Sequence, residues 1–280
     1  MFHEEPSNFQ FVEAWDQRIN EKENRLPVME NEMKEIKNKY AVITKVIIFF
    51  FAFLLFFLID KAAIFLTDLP LAGSFGYTWL IFHHFIQIML AIGIMALPWW
   101  HRSFSEWGLN LKNYHQTFAT IKKFTIGWII GTTIFTLISQ WLSGWPALLN
   151  FSLNIENILI YLFFESIIVG ISEEIVFRGL VYGALAPYFS KKVRIGFSIS
   201  YAGIISAVFF AIAHIGFNLF PFSITAFAPM QIFIAFTLGL FYAVLREQTG
   251  SLLGPILAHN ISDGWLSILY IVIQLITQGN

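Results

Sequence analysis

Residues 164–178 read Phe164-Glu165-Ser166-Ile167-Ile168-Val169-Gly170-Ile171-Ser172-Glu173-Glu174-Ile175-Val176-Phe177-Arg178. An apolar run long enough to lie in a membrane ends in two adjacent carboxylates and an arginine. A charge inside hydrocarbon costs about 2.5–3.5 kcal/mol on insertion scales, so such residues read by default as functional. Glu174 and Arg178 are four apart and share a helix face, where they can pair. Glu173 points about 100° away round the same helix. The spacing therefore predicts one carboxylate held by the arginine and one left for chemistry. The bland alternative is a buried ion pair that only locks two helices together.

Working outward, the whole chain has the composition that this stretch requires. Of its 280 residues 57% are hydrophobic and 12% charged, with a mean hydropathy of +0.67. Soluble domains carry about 25% charged residues, and several apolar runs here approach the ~20 residues that span a bilayer. The alternating segments of a membrane β-barrel are absent. The expected class is an all-α, polytopic membrane bundle of seven to eight transmembrane helices, with the lipid bilayer as its surroundings. A net charge of −1 speaks against nucleic acid as a partner, and zero cysteines exclude disulfides, thiolate catalysis and cysteine-held metal. The first forty residues are polar and of mixed charge, unlike a cleavable signal peptide.

Residues 1–45 read as an amino-terminal cytosolic tail, and 46–280 as the membrane domain. In the tail, Phe11, Val12, Trp15 and Ile19 share one helix face, Pro27 interrupts, and Met29, Met33, Ile36, Tyr40 and Ile43 form a second stripe. Spans are expected at about 46–66, 77–97, 125–142, from 155 onward, and at about 198–220, 229–245 and 252–276. Residues 175–189 are an optional eighth crossing or a surface helix. Asp60 and Lys61 are expected at the interface, His83 and His84 facing the bundle or forming an auxiliary site, and Trp99, Trp100 and Trp107 in an interfacial belt. Lysine and arginine concentrate in the tail, in 101–123 and in 191–194. The positive-inside rule then places the amino terminus in the cytosol of what is expected to be a cell-membrane protein.

Two later spans add polar groups. His214 lies in the fifth, and His259 and Asp263 lie four apart on one face of the seventh. With neutral histidines, three carboxylates of this set face one arginine, an arrangement that low dielectric makes unstable without protons, water or a cation. A divalent ion held by His214, His259 and Glu173 would neutralise it and leave a position for water, as in a hydrolytic zinc site. Without metal, Glu173 itself could activate water, while the histidines and residue 263 support the developing oxyanion. Counting residues from the helix ends sets Glu173 and His259 in the cytosolic half. His214 joins them only if the fifth span begins near residue 204. No His-Glu-x-x-His occurs, nor a Gly-x-Gly-Asp or a Gly-x-Ser-Gly with a late histidine, so three other intramembrane protease patterns fail.

The motifs Glu173-Glu174-x-x-x-Arg178, Phe210-x-x-x-His214 and His259-x-x-x-Asp263, in this order and each in an apolar segment, resemble those of the CAAX prenyl protease and bacteriocin-processing family of membrane proteins. The resemblance covers about residues 155–270. It implies hydrolysis of a peptide bond in a peptide or membrane-protein substrate, with Glu173 activating water, Glu174 and Arg178 as motif partners, and His214 and His259 assisting. Asp263 stands where the family often has asparagine. An ionised aspartate is a poor oxyanion donor, which favours a metal-binding or histidine-orienting role. Some relatives act as immunity or scaffold proteins, so a non-catalytic membrane scaffold is the competing expectation. A transporter is the weakest reading, because inverted repeats are absent.

Overall fold

The computed structural model describes residues 8–71, 76–194, 196–218 and 223–278, with side chains from residue 33 onward except 71, 99 and 278. Seven helices follow in order among the described residues. They are α1 Asn8–Leu71, α2 Tyr77–Met95, α3 Tyr114–Ser143, α4 Ile155–Leu185, α5 Tyr201–Ile212, α6 Pro229–Thr249 and α7 Leu253–Gln278. Six contain a stretch long and apolar enough to cross a membrane, and α5, at twelve residues, is a shorter apolar helix. The chain divides into two compact units, residues 1–49 and 50–280. The first holds the start of α1, which continues as a helix through Pro27, where an interruption was expected.

Within residues 50–280, α6 packs along α5, and α7 packs against α3, α4 and α6. Local chemistry fixes several ends. Asn154 caps α4 by accepting the Asn157 N–H at 2.9 Å, and the Ser200 hydroxyl caps α5 from the Gly203 N–H at 3.1 Å. Gly250, at φ +70°, ends α6 in the left-handed conformation that favours glycine and lets α7 begin three residues later. Two small antiparallel hairpins complete the unit, β1 Lys192–Arg194 with β2 Ser198–Ser200, and β3 Gly216–Asn218 with β4 Ser223–Ala226.

One end of the bundle gathers basic residues. Arg102 donates to the Gly183 carbonyl at 2.7 Å, Arg246 to that of Glu106 at 3.0 Å, and Lys192 pairs with Glu247 at 3.1 Å. These contacts join the loop before α3, the end of α4, β1 and the end of α6. The helices therefore present their sites at heights counted from a common edge.

The structure corrects four boundaries. Residues 175–185 continue α4 instead of forming a separate crossing. The fifth span stops at Ile212, because the chain turns at Ala213-His214 into the β3–β4 hairpin; residues 219–222 lie outside the described residues. Asp60 and Lys61 do not mark the end of the first span, since α1 runs eleven residues beyond Asp60, and both half-exposed side chains line a cavity. Trp107 is wholly buried, set edge-on to Trp100 at 5.2 Å and under the Arg102 guanidinium, so it anchors the loop inside the protein instead of lying in an interfacial belt. His83 and His84 are buried and face the bundle, as expected.

Candidate active site

α4 is not a uniform helix. Phe164–Ile168 and Ile175–Val181 are π-helical, and the α-helical turn between them, Val169–Glu174, carries the carboxylates. A π turn admits one extra residue per turn and recurs at functional sites because it re-aims side chains without breaking the helix. Between these two turns Glu174 points into the bundle and Glu173 toward a cavity.

Glu174 and Arg178 are fully buried, and the Arg178 Nη1 donates to Glu174 Oε1 at 2.9 Å. Nη2 donates to the Gly239 carbonyl of α6 at 3.0 Å, and the guanidinium lies over the Phe210 ring at 4.3 Å and the Tyr242 ring at 5.3 Å. A guanidinium so placed is compensated by a charge, a carbonyl and two ring faces. A Cβ at residue 239 would stand 3.0 Å from Nη2 and 3.2 Å from the Phe210 ring. Glycine there lets the α6 backbone approach the arginine.

His259 of α7 connects this pair to the other carboxylates. Its Nδ1 lies 2.9 Å from Glu174 Oε1, and its Nε2 lies 3.1 Å from Asp263 Oδ2 and 3.7 Å from Glu173 Oε2. The ring stacks on Tyr242 at 5.0 Å and 19°, and the Tyr242 hydroxyl donates to Ser262 at 3.0 Å. Both nitrogens can donate to carboxylates only when the ring is an imidazolium. In that form it offsets a second of the three negative charges that Arg178 leaves partly unbalanced.

Glu173 keeps 23% of its side chain exposed and Asp263 25%, against none for Glu174. Among the described residues no group donates a hydrogen bond to Glu173 Oε2, although that atom is buried. Glu173 lines a cavity of about 550 Å3 that His214, His259, Asp263, Tyr242 and Glu165 also line. His214 sits two residues past the end of α5, and its Nδ1–H donates to the Phe210 carbonyl at 2.8 Å. That bond fixes the neutral ring as the Nδ1–H tautomer and leaves the Nε2 lone pair for the cavity. All six residues singled out in the three motifs thus come together, Glu173, His214, His259 and Asp263 on the cavity wall and Glu174 and Arg178 behind it. α5 begins at Tyr201, three residues later than hydropathy suggested, and His214 lines the cavity just past its end.

Sequence reasoning missed Tyr242, Gly239 and Glu165. Glu165 carried a usable signal, an ionisable residue in an apolar helix. Tyr242 and Gly239 carried none, because tyrosine and glycine are ordinary residues in a membrane helix.

The metal expectation can be tested on the donors. A ligand histidine offers a ring lone pair, but His259 turns both nitrogens to carboxylate oxygens. Among the described residues no group of three or more histidine, aspartate or glutamate side chains is arranged to hold an ion. In this arrangement the set does not fit a metal, and no step below passes through one.

Residues 155–265 match the family described as type II CAAX prenyl endopeptidase, Rce1-like. Over 117 residues the chain is 29% identical to the membrane-embedded CAAX protease MroQ of Staphylococcus aureus (strain USA300), and that match covers 42% of this chain and 42% of the relative. The matched stretch therefore spans less than half the length of that curated relative. No solved structure matches. The resemblance carried by the three motifs is borne out as a similarity: the stretch from the start of α4 to the first half of α7 is similar to this family of membrane-embedded CAAX proteases.

Proposed function

We propose that this protein is an intramembrane endopeptidase in which Glu173 activates the hydrolytic water. The carrying observation is the unequal treatment of two adjacent carboxylates. Glu174 is locked by Arg178 and His259, while Glu173 Oε2 receives no hydrogen bond, with His259 Nε2 no nearer than 3.7 Å, and Glu173 lines a cavity that His214 shares. A base must keep an acceptor lone pair for the proton it takes.

In this reading a peptide segment lies in the larger cavity, and water rests between Glu173 and the Nε2 lone pair of His214. Glu173 takes one proton as the water oxygen attacks the carbonyl carbon. The oxyanion develops near His259, whose Nε2–H, shared at rest with Asp263, turns to it. Glu174 holds His259 from the far side through Nδ1. Collapse of the tetrahedral carbon breaks the C–N bond, and Glu173 passes its proton to the departing nitrogen. Asp263 serves as the resting partner of His259, which matches the histidine-orienting role its charge suggested.

By the positive-inside rule the end that gathers Arg102, Lys192 and Arg246 is cytosolic. His259 lies six residues into α7 from that end, about 9 Å by helical rise. The test is cleavage of a membrane-protein or peptide substrate by purified protein in lipid. Glu173→Gln keeps size and removes the base. It is expected to reduce turnover to background while the protein stays folded and inserted. Normal turnover in this variant would remove Glu173 from the chemistry. Wild-type protein that cleaves nothing across a broad set of membrane peptides would favour a scaffold role.

A further inference from the structure

Peptide hydrolysis consumes one water per bond, and a substrate seated in the larger cavity closes that route to Glu173. A second cavity, of about 370 Å3, also has Glu173 in its wall. Its other walls come from different elements: Phe56, Asp60 and Lys61 of α1, His83, His84 and Gln87 of α2, and the β3–β4 hairpin. Its α1 and α2 walls lie outside the stretch that matches the protease family.

The lining mixes polar side chains with apolar ones where a membrane interior should be apolar throughout. Gln87 Nε2 lies 3.0 Å from His83 Nε2, and Gln87 Oε1 accepts the Ser172 hydroxyl at 3.1 Å, one residue before Glu173. With Gln87 donating, the His83 proton sits on Nδ1. That atom, His84 Nδ1 and Glu173 Oε2 are all buried without a hydrogen-bond partner among the described residues. Asp60 Oδ1 stands 3.6 Å from His83 Nε2, beyond a direct hydrogen bond and at a separation that water bridges. Buried polar atoms in a roomy polar cavity are satisfied by water. At the far end the cavity reaches Gly216 and Thr225, and β4 is exposed along its length. The space therefore borders both an exposed hairpin and Glu173, with Asp60, His83 and Gln87 in its wall and different neighbours from the larger cavity.

We propose that this second cavity is a hydrated passage that delivers water to Glu173 while the larger cavity holds the peptide. Its ligand is water, Asp60, His83 and Gln87 are positioning residues along it, and Ser172 holds Gln87 from behind. Its purpose rests on the hydrolase reading, but its hydration does not, and the test separates the two.

The chain has no cysteine, so any introduced thiol is unique. Gln87→Cys inside the passage, Thr225→Cys at its mouth and Phe85→Cys, which is 57% exposed on the apolar outer face of α2, are made in the full chain and reconstituted in liposomes. Each is treated with a small charged methanethiosulfonate, which needs a hydrated thiolate. Thr225→Cys and Gln87→Cys are expected to label and Phe85→Cys to stay inert, with Gln87→Cys still labelling when Glu173→Gln is added. Gln87→Cys as inert as Phe85→Cys, beside a reactive Thr225→Cys, would overturn the proposal. If Gln87→Cys fails to insert, His84→Cys takes its place with the same two outcomes. In a cleavage assay Gln87→Leu is expected to lower kcat about tenfold with KM unchanged, since water supply and not peptide binding is impaired. An unchanged kcat would leave a wet cavity with no part in supply, and would overturn it as a passage. Loss of labelling strikes the passage alone, whereas normal cleavage by Glu173→Gln strikes the protease reading alone.

Discussion

Arg178 shows how one residue divides two neighbours into different roles. Its buried guanidinium engages Glu174, the Gly239 carbonyl and two aromatic faces, and none of those bonds reaches Glu173. Removing one partner of a buried pair strands the other, at about 3–5 kcal/mol. Arg178→Ala is therefore expected to melt well below Glu173→Ala in detergent, since Glu173 gives up no hydrogen bond of its own at Oε2. Equal melting temperatures would show that Arg178 is not structurally committed. This division was legible in the sequence, because a four-residue spacing places two side chains on one face whatever the tertiary context. The role of His259 was legible only in part. Its pairing with Asp263 follows from the same spacing, but its bond to Glu174, 85 residues away, depends on how two helices pack.

At the scale of elements, α4 and α5 carry the departures from expectation. Hydropathy marks where a chain tolerates lipid, not where a helix stops. It therefore extended the fifth span to residue 220 and split α4 near residue 175, whereas the chain turns at His214 and α4 runs on to Leu185. No periodicity argument announces the π turns either, since a one-residue excess leaves the apolar character of α4 unchanged. Close packing of α5, α6 and α4 depends on Gly239, whose added Cβ would also stand 3.2 Å from Ala207. Gly239→Ala is expected to cost about 1–3 kcal/mol by overpacking, and to lower activity by displacing Arg178. Gly131 of α3 has nothing within 4 Å of such a Cβ, so Gly131→Ala is expected to be neutral or to stabilise by about 0.5–1 kcal/mol. Melting both variants in parallel checks the comparison, and similar melting temperatures would remove the close approach from the argument.

Across the whole molecule, the class of fold was legible from composition alone, because lipid leaves few architectures open to so apolar a chain. That Asp60 and Lys61 line a cavity was not, since a charged pair near the end of an apolar run reads equally as interfacial. If catalysis runs on Glu173, cleavage by protein purified without added metal is expected to be indifferent to a strong chelator. A chelator-sensitive activity that zinc restores would return the assignment to a metal site with His259 rearranged. The network at the centre also sets a timetable. Gly239 follows Arg178 by 61 residues and His259 follows Glu174 by 85, a delay on the order of ten seconds at ordinary rates of synthesis. For that interval the ribosome has delivered a charged helix whose partners do not yet exist. A chain truncated after Thr249 is expected to be cleared in pulse-chase labelling faster than the full chain. Replacing Glu174 with Gln and Arg178 with Met in the truncated chain should slow its clearance, because the newborn helix then lacks the two charges left waiting for company.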